Sequence, residues 1–161
     1  MDAADLRRAY DVLLAEAEAG GFDPPPPGRW NAEQVIAHVA ANDELMAETT
    51  EAVLAGSPWV SYNHNTIHRA QLDEMIAESG GMPGLIPLLR DRSERLCRLV
   101  ERLGDRSSTL VDTHMRDGFE LVIDEQLPWG RTIDIHGRLH LPIHIAQLRA
   151  LRRDGGSPGG P

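Results

Sequence analysis

The chain has 161 residues, enough for one domain with a substantial core, and its 41% hydrophobic and 25% charged residues make a globular composition. Its net charge of −9 argues against duplex DNA or an anionic membrane as partner, since both need a concentrated basic surface.

Asp2 to Ala19 reads as a helix, with Leu6, Tyr10, Leu13, Leu14 and Ala17 on one apolar stripe. Gly20-Gly21 ends it, and Pro24 to Pro27 forms a stiff connector. A second helix begins near Asn31, a good N-cap with Gln34 as capping-box partner. Val35, His38, Val39, Asn42, Leu45, Met46, Thr49 and Val53 share its broad face, and Gly56-Ser57-Pro58 stops it. A third helical stretch runs from Asn65 to Ser79, and a fourth from Gly84 to Leu103 with a leucine-rich stripe. From Thr109 to Gln126 the period changes to that of a short β-hairpin or extended excursion. Pro128-Trp129-Gly130 reads as a turn, and a last helix covers Thr132 to Arg153. The Gly/Pro-rich segment 154–161 is expected to be a flexible tail, leaving residues 1–153 as the domain. The expected architecture is all-α: a four-helix bundle with an extra short helix and a small hairpin before the last helix.

No apolar run approaches the ~20 residues of a membrane span. The N-terminus lacks the basic and apolar regions of a signal peptide. The single cysteine, Cys97, allows neither an intrachain disulfide nor a cysteine-based zinc knuckle. These features predict a soluble cytoplasmic protein. All 16 basic residues are Arg, so this chain offers no lysine for a Schiff base or a P-loop.

Seven histidines carry the chemical signal. His136, His140 and His144 fall four residues apart in the last helix. A His pair at that spacing places two imidazoles on one ion. The pair is His140 with His144 or His136 with His140. All three do not share one ion on a regular helix, whose face drifts by ~40° every four residues. A third ligand must come from elsewhere, and His38 on the apolar face of the second helix is the candidate. His64 and His68 form another such pair, read as a second metal half-site or as pocket wall, from which a general base could come. Gln147 is placed to accept from a ligand ring and Asn42 to line the pocket, whereas Asp43 and Glu44 read as a solvated face. Cys97, within the leucine-rich stripe, reads as a buried hydrophobe.

The segment Trp30-Asn-Ala-Glu-Gln-Val-Ile-Ala-His38 resembles the start of the second helix in the DinB/YfiT-like metalloenzymes. The segment His140-Leu-Pro-Ile-His144-Ile-Ala-Gln147 is similar to that family's last-helix signature, with Ile145-Ala146 in place of Arg-Gly. The resemblance spans residues 1 to 153 in helix order and rests on these two motifs. It implies a DinB-like bundle with a divalent ion, zinc or nickel, on His38, His140 and His144. It also implies a transferase or isomerase using a low-molecular-weight thiol such as mycothiol or bacillithiol. Other readings are a non-catalytic stress-response module that binds metal or ligand, and a metal-hydroxide hydrolase. The expected partner is a small-molecule substrate, and apolar helix faces would permit the homodimer that this family often forms. Pro142 departs from the pattern, because proline removes a helix hydrogen bond and crowds the preceding turn. It predicts a kink or a late helix start; His140 is kept as the ligand because its spacing to His144 and Gln147 fits the motif, with His136 as the fallback.

Overall fold

The structure, a computed structural model, describes residues 1–58, 60–117 and 120–152. Side chains are described for all of these except 117 and 120–122. The proposed tail, 154–161, and the expected helix end at Arg153 lie outside the described residues.

Helix α1 spans Ala3–Ala19, with Asp2 as N-cap accepting from the Asp5 amide. It buries Leu6, Tyr10, Leu13, Leu14 and Ala17, the stripe read from the sequence. Helix α2 spans Ala32–Ala55 and opens on a complete capping box between Asn31 and Gln34. Its buried surface extends over most of its circumference, which makes it the central helix. Strand β1 is Ser61–Tyr62, followed by a 3-10 turn at His64–Thr66 and helix α3 at Arg69–Ser79. The helix predicted from Asn65 therefore begins later, with His68 as its N-cap. Helix α4 spans Met82–Leu103.

Strands β2 (Leu110–Asp117) and β3 (Glu120–Pro128) form the expected hairpin. β1 adds to β2 in parallel, pairing Ser61 with Thr113 and Tyr62 with His114. The chain is thus mostly helical but not all-α, because a three-stranded sheet in the order β1-β2-β3 caps one side of the helices. A bulge between Met115 and Arg116 breaks the β2–β3 register. Asn63 holds that point, accepting from the Arg116 amide at 2.8 Å and donating to its carbonyl at 3.1 Å. Bulges of this kind redirect side chains beside functional sites.

The last helix begins at Trp129, earlier than the predicted turn allows. Helix α5 covers Trp129–Ile135, a π-helical turn His136–His140, and helix α6 Leu141–Ala150. The Leu141 amide reaches back five residues to the His136 carbonyl. This widened turn immediately precedes Pro142, so the helix runs continuously from Trp129 and does not start late. Gly137 lies inside the π turn, where a Cβ would stand 3.2 Å from Leu6 Cδ1 and press on Met1. Its lack of a side chain lets α1 pack directly on the turn. α2 packs on α4, α1 packs on α4 and α6, and α6 closes the ring against α2. No helix among the described residues is long and apolar enough to cross a membrane.

Trp129 fixes the start of the last helix. Its side chain is fully buried and its indole N–H donates to Thr50 Oγ1 of α2 at 2.8 Å. Trp129→Phe removes that bond and part of the ring volume. It is expected to cost about 2 kcal/mol in urea denaturation. A loss near zero would show that this anchor does not hold α2 and the last helix together.

Candidate metal centre

Three imidazoles meet between α2 and the last helix. His38 is supplied by the buried face of α2, whose neighbours Val35 and Val39 are 1% and 0% exposed. His140 ends the π turn and His144 follows one turn later in α6. His38 Nε2 lies 2.9 Å from His140 Nε2, and His140 Nε2 lies 3.0 Å from His144 Nε2. One ligand atom from each of the three falls within 4.8 Å of the others. These are the three residues that the sequence brings forward as candidate ligands, and they could hold a metal ion.

The partners of the opposite ring nitrogens decide which atoms face the centre. His38 Nδ1 lies 2.6 Å from the Thr66 carbonyl, which only accepts, so that nitrogen carries the proton. His144 Nδ1 lies 2.8 Å from Gln147 Oε1 and donates to it. His140 Nδ1 lies 3.0 Å from His136 Nδ1, so the tautomer of His136 sets that of His140. His136 Nε2 faces the Tyr10 hydroxyl at 2.7 Å and Asp43 Oδ1 at 3.2 Å. The Tyr10 hydroxyl donates to the same Asp43 oxygen at 2.7 Å, which leaves its own oxygen to accept. With a carboxylate and an accepting hydroxyl before it, His136 Nε2 carries the proton. Its Nδ1 then accepts from His140, and the Asn42 amide 3.4 Å away supports that state. All three Nε2 lone pairs therefore converge on one point, with no proton between them.

Nitrogens facing one another in this way repel, and a cation relieves the repulsion. The set fits a divalent ion: ligands ~2.0–2.1 Å from a tetrahedral zinc lie about 3.3 Å apart. A second observation agrees. Asp43 is fully buried, contacts Tyr10 and the His136 ring rather than a formal cation among the described residues, and its Oδ2 has no hydrogen-bond partner there. Buried carboxylates are costly unless compensated, and a dication two imidazoles away supplies the missing charge. Residues His38, His140 and His144 would hold it.

The surroundings favour the neutral form of His38 and His140. Burial, then the neighbouring His144, pushes His38 down to about 3, against the opposing pull of the Thr66 carbonyl. Burial and then the nearby His136, His144 and His38 hold His140 well below its ordinary value. Neutral imidazole is the form that binds metal.

His38, His140, His144 and Gln147 all line one cavity of about 930 Å3, and so do His64 and His68. The expected His64–His68 contact exists, with Nε2 atoms 2.6 Å apart, although the two flank a 3-10 turn rather than share a helix face. Burial, His68 and Arg116 lower His64 below the ordinary imidazole value. Asn42 departs from expectation. It is 2% exposed, lies behind the centre against His136 and Met46, and is not part of the cavity wall. Asp43 departs further, being fully buried rather than solvated, while Glu44 does pair with Arg92 and Arg95 near the surface. His136 lies behind His140, Nδ1 to Nδ1, and outside the group of three. The sequence carries no signal for the roles of Tyr10 and the Thr66 carbonyl: Tyr10 reads there as one more apolar residue, and a backbone carbonyl has no signature.

A histidine whose folded value is depressed adds stability above its unfolded value. For His38 that contribution is present above pH 6.5 and is lost as pH falls from there toward about 3. In the presence of chelator, His38 alone is expected to cost about 2 kcal/mol of stability between pH 7 and pH 5. Urea denaturation at the two pH values measures it, and His38→Gln should lose correspondingly less. Equal losses in the two proteins would contradict a buried neutral imidazole at this position.

Compared with protein-family models, with curated proteins and with solved structures, the chain matches none, so the chemistry of this centre rests on its own residues.

Proposed function

We propose that the protein is a divalent-metal-dependent enzyme of the DinB/YfiT-like type. It holds zinc or nickel on His38, His140 and His144 and uses a low-molecular-weight thiol of the mycothiol kind in a transferase or isomerase reaction on a small cytoplasmic substrate. The observation that carries this reading is the convergence of three unprotonated Nε2 atoms, each imposed by an acceptor on the opposite ring nitrogen. Three imidazoles leave coordination positions open, as in catalytic rather than structural sites. Those positions face a cavity large enough for a small molecule. The motifs around His38 and His144 and the order of the helices support the family assignment.

When bound, a divalent ion lowers the pKa of a coordinated water to roughly 7 or deprotonates a coordinated thiol outright. The chain's own residues supply the rest. Thr66, His136 and Gln147 fix the three rings, so no reorientation is needed when a ligand arrives. His64, held neutral by burial and by its cationic neighbour Arg116, is an acceptor for a substrate proton at the cavity edge. Cys97 does not serve as nucleophile: it is buried between helices and burial pushes its thiol up to about 12. The reacting sulfur therefore comes from outside the chain.

Untagged protein is expected to take up about one zinc or nickel ion per chain, read by elemental analysis after dialysis. His38→Ala and His144→Ala should each abolish that uptake. The metal-loaded protein should speed conjugation of a low-molecular-weight thiol to an electrophile, and the stripped protein should not. Turnover of esters without thiol would replace the transferase reading by a hydrolase. Failure to bind metal would end both.

The buried carboxylate behind the centre gives a finer test. Asp43→Asn preserves shape but removes the charge and the fixed tautomer of His136. It is expected to weaken metal affinity by about 10- to 100-fold, as losses of such outer partners do. Unchanged affinity would disconnect Asp43 from the ion.

A further inference from the structure

We infer that the cavity beside the three histidines takes a small molecule with a carboxylate head and an apolar body, the head being held by Arg116. This inference rests on the reading of that cavity as the substrate site.

The first support is charge. The sequence carries 25 acidic residues against 16 arginines, yet Arg29, Arg69 and Arg116 line this cavity and no Asp or Glu does among the described residues. A chain with net charge −9 has gathered only cations here, and a histidine centre adds no negative charge. The local field therefore favours an anion.

The second support singles out one arginine. Arg29 is exposed, and Arg69 spends a donor on the Arg29 carbonyl at 3.0 Å, which ties the loop to the start of α3. Arg116 differs from both. Its Nε is buried and has no hydrogen-bond partner among the described residues, and Arg116 makes no ion pair there. A buried guanidinium N–H without an acceptor is costly. The bulge at Met115/Arg116, clamped by both hydrogen bonds from Asn63, sets the position of this residue. A planar guanidinium on a rigid backbone matches a carboxylate in two-point contact.

The third support is the remaining wall. Ile67, Met115, Ile123, Ile135, Leu139 and Ile143 make it chiefly apolar. Leu139 and Ile143 are 57% and 54% exposed, one turn apart on the last helix. An apolar body covering them would remove that surface from water. A bare inorganic anion would leave it uncovered.

The test uses the full chain, both loaded with zinc and stripped by chelator, with octanoate, 1-octanol and inorganic phosphate as probes. Binding is followed by calorimetry and by fluorescence of Trp30, which lines the cavity. Octanoate is expected to bind about tenfold more tightly than octanol, and phosphate only weakly. Arg116→Gln should lower octanoate affinity about tenfold and leave octanol affinity unchanged, which also shows that the variant cavity is intact. The same pattern in stripped protein separates Arg116 from direct coordination by the ion. If the chain takes up no metal at all, the proposed function fails while the Arg116 comparison can still succeed. Equal affinities for octanoate and octanol, equal competition by phosphate, no binding of octanoate, or an Arg116→Gln variant that binds octanoate as well as the native chain would overturn the inference.

Discussion

The hydrogen bond between His140 Nδ1 and His136 Nδ1 is the interaction on which the centre depends. It is made between two groups that are free to be donor or acceptor, and a buried carboxylate decides the outcome. Asp43 and the Tyr10 hydroxyl leave His136 only one favourable proton position, and that choice passes through the ring to His140. A glutamine and a backbone carbonyl impose the same choice on His144 and His38. Three independent acceptors therefore produce one result, a pocket of lone pairs. Such a pocket is unfavourable when empty and strongly selective for a cation.

The scaffold is arranged to make this possible. One ligand and the directing carboxylate come from α2, the directing phenol from α1, and the remaining rings from the last helix. A regular helix would rotate His136 and His144 away from one another relative to His140. The π turn lies between His136 and His140, whereas regular helix separates His140 from His144; His140 and His144 face the centre while His136 stands behind. The same widened turn immediately precedes Pro142. Trp129 holds the start of the last helix against α2 by filling space, and Gly137 lets α1 pack on the π turn by leaving it.

Much of this was legible in the residues and some was not. Ligand spacing is local, so His38 on an apolar face and the His140–His144 pair stand out. Cys97 within a leucine stripe reads correctly for the same reason. Asp43 was misread because α2 is buried around most of its surface, and an acidic residue beside Glu44 resembles a solvated edge. Pairing between helices is what brings Asp43 and Tyr10 to His136, and no spacing along one chain segment encodes it. Strand β1 has two residues and owes its existence to β2, so it leaves no periodic trace. Pro142 signalled an irregular helix without specifying that the irregularity would be a π turn. Cys97 keeps its meaning, a small buried residue inside the leucine stripe. The all-arginine basic set gains one, since three of those cations line the wall of the cavity.

The most direct measurement is nitrogen-15 NMR of the imidazole rings in metal-free protein at neutral pH, followed by addition of one equivalent of zinc. His38, His140 and His144 should each show the proton on Nδ1 and none on Nε2, and zinc should shift those three Nε2 resonances while His136 keeps its proton on Nε2. Protonated Nε2 atoms within the trio, or a zinc response confined to His64 and His68, would contradict the account.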